Sequence, residues 1–176
     1  MAQKQLEPDE QPHDLVDVFY IPLVRPLGNL VILVAQAEAA LVDLLMALNG
    51  EDENLAHHTL KGDAKKQVTE LVQSAAKLTG FDLTELLEGL DAYWADRDRR
   101  NRYIHDEWWV GQYDTGALPS TRGIPRKKGS AVVFDEPTPD DIWALARNFR
   151  EHSNLFSHRA WVLRKPSPEG GLARQR

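Results

Sequence analysis

At 176 residues the chain is long enough for one good core and short for two full domains, and its 42% hydrophobic and 27% charged residues make an ordinary globular mixture, not a disordered or fibrous one. The formal charge of −6 hides a split: residues 1–96 hold 6 Lys/Arg against 17 Asp/Glu, net −11, and residues 97–176 hold 15 against 10, net +5. This excludes an evenly basic nucleic-acid coat but leaves room for a local anion site in the second half, while the absence of cysteine excludes disulfide scaffolds, thiolate zinc sites and cysteine nucleophiles.

Residues 1–14 are polar and acidic, without the basic region and apolar run of a signal peptide, and read as a disordered tail. A single helical domain is expected over 15–164, followed by a disordered basic tail over 165–176 that opens on a Pro/Gly-rich run. Asp14 to Val24, with Val16, Val18, Tyr20 and Pro22, reads as an extended or short-strand lead-in. The first helix is expected over 26–48, since Pro26 suits a first turn and Asn49-Gly50 a stop. Leu27 to Leu48 is long enough to cross a bilayer. Gln36, Glu38 and Asp43 would be costly in hydrocarbon, however, so a buried helix of a cytoplasmic bundle, with no membrane partner, is the expectation.

A second helix from about Asp63 to Leu78 aligns Ala64, Val68, Leu71, Val72, Ala75 and Leu78; an earlier start near Asn54 is interrupted by Gly62. The third opens on Asp82 and Glu85 at capping-box spacing, carries Leu83, Leu86, Leu87, Leu90 and Trp94, and continues to about His105. Glu107 to Tyr113 is aromatic and β-leaning, Thr115 to Gly129 is Gly/Pro-rich and basic, and Ala131 to Phe134 is a short strand candidate. A hairpin insertion over about 107–136, with its tip at Arg122 to Lys128, fits that pattern. Thr138-Pro139-Asp140-Asp141 is a strong helix start, and the last helix turns Ile142, Leu145, Ala146, Phe149, Phe156, Ala160 and Leu163 inward. The expected fold is mainly all-α: a four-helix bundle with a β-hairpin or irregular insertion between the third and fourth helices.

Nucleotide-cradling glycine loops, a GxSxG elbow and HExxH are all absent. The one dense polar cluster is Asp96 to Glu107, at the end of an otherwise apolar helix. Steps of three and four from Leu90 through Trp94 and Arg97 reach Asn101, Ile104 and His105, so Asn101 and His105 share a face with Arg100 on its flank. A solvated helix end, its cations near the C-terminal dipole, accounts for the same composition.

Arg100-Asn101-Arg102-Tyr103-Ile104-His105 resembles the RNxxxH signature of the HEPN superfamily, helical-bundle proteins that include many prokaryotic toxin and phage-defence ribonucleases. Two long helices before the motif, Glu107-Trp108-Trp109 after it and a closing helix extend the resemblance over most of the chain. It implies a metal-independent endoribonuclease that needs no cofactor, a homodimer through the motif-bearing helix, and in some members a protein antitoxin. The chemistry suits the residues. RNA supplies its own nucleophile, the 2′-OH; His105 is suited to acid/base work near neutrality; Arg100 is suited to holding the phosphate; Asn101 would orient His105. Arg97, Arg102, Arg122, Arg126, Lys127 and Lys128 are candidate substrate contacts. Trp108, Trp109 and Tyr113 either stack bases or fill the hairpin and core.

A second copy of the pattern, Arg147-Asn148-Phe149-Arg150-Glu151-His152, falls inside the last helix, where Phe149 and His152 share the core-facing stripe; a partly buried histidine is expected there. Two further readings remain. His105-Asp106 could join His57 or His58 and Asp140 or Asp141 in a metal phosphohydrolase site. The arginine cluster could instead serve a non-catalytic binding or assembly module with an acidic partner.

Overall fold

The computed structural model describes residues 13–79, 83–105, 107–109, 120–122 and 134–165, with side chains over 21–75, 83–105 and 136–165. Its elements are helices α1 (His13–Leu48), α2 (Glu53–Thr59), α3 (Ala64–Thr79) and α4 (Thr84–His105), three short strands β1 (Glu107–Trp109), β2 (Ser120–Arg122) and β3 (Phe134–Asp135), and helix α5 (Pro139–Arg164). The protein is mainly helical.

Helix α1 begins at His13, which corrects the extended lead-in expected over 14–24; residues 1–12 of the expected tail lie outside the described residues. Pro22 and Pro26 both lie inside it, each removing one ladder hydrogen bond. Burial outweighs that local cost: Leu23, Pro26 and Leu30 recur at helical spacing and are all buried. The helix closes where Gly50 (φ 71°) and Glu51 (φ 69°) turn left-handed and the Glu51 N–H donates to the Met46 carbonyl at 2.8 Å. Residues 53–59 form a separate seven-residue helix, capped by Asp52, whose carboxylate accepts from the Leu55 N–H at 2.9 Å. Gly62 (φ 66°) breaks the chain before α3.

Where a hairpin insertion over 107–136 is expected, the described residues show three short antiparallel strands in the order β1-β2-β3. Glu107 pairs with Arg122, Trp108 with Thr121 and Trp109 with Ser120; on the other side Arg122 pairs with Phe134 and Thr121 with Asp135. Apart from Arg122, the expected tip at 122–128 lies outside the described residues.

The chain divides into two compact units, Met1–Ile32 with Asp96–Arg147, and Leu33–Ala95 with Asn148–Arg176. The first unit buries Leu23, Leu30, Tyr103, Ile142, Leu145 and Ala146. At its Thr138 corner, the N-cap hydroxyl accepts from the Asp141 N–H at 3.1 Å, and the Asp141 carboxylate accepts from the Thr138 N–H at 3.0 Å. This is the reciprocal capping box that the Thr-Pro-Asp-Asp run encodes.

The second unit is held by an aromatic cluster. Tyr93 makes edge contacts with Trp94, Phe149, His152 and Phe156, with ring centroids 5.1 to 6.0 Å apart. Ala37, Leu41, Leu44, Leu86 and Leu90 are buried in the same unit. Its margin carries ion pairs: Arg159 with Glu85, and Arg164 with Asp43 and Glu51 at 2.8 Å each. Hydrogen bonds to Glu51 and then to Asp43 hold the Arg164 pKa above its ordinary value. Within α1, Ile21–Leu48 is long and apolar enough to cross a membrane by length and composition, yet Asp43 in this stretch is committed to Arg164.

Candidate functional site

The inward line of α4 starts as an ordinary core stripe. Leu86, Leu90 and Tyr93 are buried at steps of four and three. The next steps, four, three and three, reach Arg97, Arg100 and Tyr103. Tyr103 is only 1% exposed, and the two arginines are half-buried, with Nε atoms closed off from solvent. An arginine in such a place lays its methylene stem along apolar neighbours and projects its guanidinium outward. Beyond Ala95 the apolar stripe of α4 therefore becomes a cationic one.

Asn101 is half-buried and His105, the last residue of α4, is exposed; four residues apart, they stack one turn above the other. Arg100 and His105 are five residues apart on a helix that stays regular to its end, about 140° around the axis and about 7.5 Å along it. One chain thus groups Asn101 with His105 and turns Arg100 to another side. Arg102 is half-buried on the same last turn.

The strand register adds to this end of the helix. The chain leaves His105 and enters β1 at Glu107, whose register partner is Arg122. Arg122 also pairs with Phe134; in sequence, Arg126, Lys127 and Lys128 fall between these two residues. Those three residues, Asp106 and Tyr113 lie outside the described residues; Trp108 and Trp109 are described only as the backbone of β1.

Arg99 plays a part that spacing alone does not reveal. Its Nε donates to the Tyr103 hydroxyl at 2.9 Å, its guanidinium lies 5.6 Å from the centroid of that ring, and a terminal nitrogen is 3.9 Å from Asp141 Oδ1. Asp141 is held below the usual carboxylate range, first by the Thr138 hydroxyl and N–H and then by Arg99. Arg99 thereby ties the last turns of α4 to the capping box of α5. Asp96, Arg97, Arg100 and Tyr103 are also engaged in interactions within the chain.

The second copy of the motif has a different setting. Arg147 is exposed, whereas His152 is 7% exposed, stacked on Phe156 at 6.2 Å and edge-on to Tyr93 and Phe149. This is the environment of a core residue. Among the described residues no cluster of His, Asp and Glu is suited to holding a metal ion, so His57, His58 and Asp140 form no such group with His105. The chain matches no protein-family model, no curated protein and no solved structure.

Proposed function

We propose that the end of α4 is an RNA phosphate site and that the chain is a HEPN-like, metal-independent endoribonuclease of the toxin or defence type. The observation that carries this reading is the continuity of α4 through His105, which sets Asn101 one turn beneath an exposed imidazole. The register pair Glu107–Arg122 adds a strand end leading into a basic segment. His105 serves as acid or base while the RNA 2′-OH attacks the adjacent phosphorus. The 5′-oxygen leaves with a proton, giving a 2′,3′-cyclic phosphate and a 5′-hydroxyl. Arg100 offsets charge on the phosphoryl oxygens, and Arg97, Arg102, Arg122, Arg126, Lys127 and Lys128 hold flanking phosphates.

The reaction uses both a base and an acid, and one α4 end presents one histidine. A homodimer that opposes two such ends supplies both, and sets His105 of one copy beside Arg100 of the other despite their divergence on a single helix. In this reading the four long helices form one bundle, the β segment is an insertion that carries the basic loop, and the protein works in the cytoplasm, restrained where necessary by a protein antitoxin.

One observation favours a second reading. Arg97, Arg99 and Arg100 already interact within the chain, as arginines with structural duties do. In a non-catalytic module, Arg102 and the basic loop would contact an acidic partner.

Both readings meet in one experiment. Purified protein is incubated with single-stranded RNA in excess EDTA, and the ends are analysed. Cleavage leaving 2′,3′-cyclic phosphate is expected, lowered about 10²-fold or more in His105→Ala and Arg100→Ala. Equal cleavage by wild type and His105→Ala overturns the enzyme reading; absence of cleavage leaves the binding module.

A further inference from the structure

We infer that the outward face of α1 is a docking surface for a second copy of this chain. Ile21, Val24, Val31 and Ile32 are 63%, 65%, 51% and 59% exposed, and Gly28 is exposed among them. Ile21, Val24, Gly28 and Val31 follow one another at steps of three, four and three, the seam that lets two helices lie side by side. Ala35 and Ala39 carry the same line along the helix, and both are exposed. Among the described residues the large exposed apolar side chains are these four with Leu55 and Trp161; α4 contributes none.

The extent of the face suits a helix partner. From Ile21 to Ala39 it runs about 27 Å, on the order of 300 Å² for a helix about 10 Å wide. That is the apolar centre of a standard interface of about 800 Å² per partner, which completes itself with a polar rim. Arg25 and Gln36, both exposed, flank the line as such a rim would. Gly28 sits near the middle of the large side chains, and a Cβ built there meets nothing within 4 Å, so a neighbouring backbone can approach closely.

A lipid surface fits less well. Helices that lie in the headgroup layer carry a flank rich in Lys and Arg, whereas Arg25 is the one basic residue between Ile21 and Leu48, beside Glu38 and Asp43. An apolar line with nearly neutral flanks fits a second copy of itself, related by a twofold axis.

The ribonuclease reading also calls for a dimer, opposed at the ends of α4, so the response of the dimer to substitutions on α1, and not its mass alone, separates this inference from that reading. Sedimentation of the full chain from 1 to 100 μM should show a monomer–dimer equilibrium. Val24→Glu and Ile32→Glu should each weaken it about 100-fold, since the axis buries two unpaired carboxylates. Gly28→Leu should weaken it as well, although it adds apolar surface, because the new side chain blocks the close approach. That variant separates a packed seam from general stickiness. All three positions are exposed in the monomer, so far-UV circular dichroism should be unchanged. A wild type that stays monomeric at 100 μM overturns the proposal, as does a dimer indifferent to all three substitutions. Monomers that bind anionic vesicles through Val24 and Ile32 overturn it too, and assign the face to lipid.

Discussion

The two histidines that end an Arg-Asn-x-x-x-His pattern should respond oppositely to truncation. His152 is 7% exposed and packed between Tyr93, Phe149 and Phe156 at 5.7 to 6.2 Å. His152→Ala removes most of a ring from a close-packed aromatic cluster and leaves a void whose walls, set on α4 and α5, cannot easily close. By analogy with other large-to-small core changes the loss is about 2–3 kcal/mol, part of it the edge and stacked ring contacts at about 0.5–1.5 kcal/mol each. For a chain of this size that lowers Tm by roughly 5–10 °C. His105, exposed at the helix end, should change stability by no more than about 0.5 kcal/mol when truncated. Thermal melts by circular dichroism and urea titrations measure both, and RNA cleavage by the same preparations measures function. The expected pattern is a destabilised, still active His152→Ala at a temperature where it remains folded, and a stable, inactive His105→Ala. A His152→Ala protein as stable as wild type refutes the core assignment. A His105→Ala protein destabilised as much as His152→Ala would show that the end of α4 is structural.

Two further outcomes are expected. Asp141 binds protons less readily in the folded chain than in the unfolded one, where its pKa is about 3.9. Its contribution is therefore complete above that value and disappears as pH falls through the lower folded pKa. Asp141→Asn should thus destabilise in urea titrations at pH 7 and approach wild type as pH falls below about 3.9 and through the folded pKa, and a penalty that does not shrink on acidification would refute the electrostatic account. A Cβ on Gly89 would overlap Leu155 Cδ2, the far end of a half-buried side chain. Gly89→Ala should be within about 1 kcal/mol of wild type, since helix propensity offsets a forced rotamer, whereas Gly89→Leu should cost about 1–3 kcal/mol by overpacking; an unaffected Gly89→Leu melt would show that α4 and α5 do not approach closely there.

What could be read from the chain, and what could not, follows from how far apart the causes lie. The helix over 63–78, the run of the third helix to His105 and the start at Thr138 match α3, α4 and α5 closely, because each boundary has a local chemical cause. The helical conformation of residues 13–25 was hidden by two prolines whose cost is met by the burial of Leu23, Pro26 and Leu30, a tertiary effect. Helix α2, at seven residues, is too short for a periodic signal; its cap at Asp52 and the left-handed Glu51 before it become visible only in the backbone. At the site, the pairing of Asn101 with His105 is legible from spacing. So is the place of Arg97 on the inward stripe, whereas spacing from Leu90 and Trp94 leaves Arg100 on the flank and does not bring it to the inward line. The pairing of Arg99 with Asp141 joins residues far apart in sequence with nothing local to announce it, and the turn-rich run over 115–129 does not by itself set the register of Glu107 with Arg122.

The division of charge between the halves of the chain gains a physical meaning from these pairs. Arg159 with Glu85, and Arg164 with Asp43 and Glu51, each match a cation of the basic half to acids of the acidic half inside one compact unit. Arg99 is drawn to Asp141 within the other. Pairs as exposed as these contribute little energy individually, at about 0–1 kcal/mol. Their larger effect is to neutralise α5 where it packs in the second unit, so the surplus of positive charge falls on the segment from Arg97 to Lys128. Salt-dependent affinity for an anionic ligand, if this site binds one, should then respond to Arg102, Arg122 or Lys127 and be indifferent to Arg159 and Arg164, although all carry the same charge. The local arrangement of partners, and not the formal charge of either half, decides which cations remain for function.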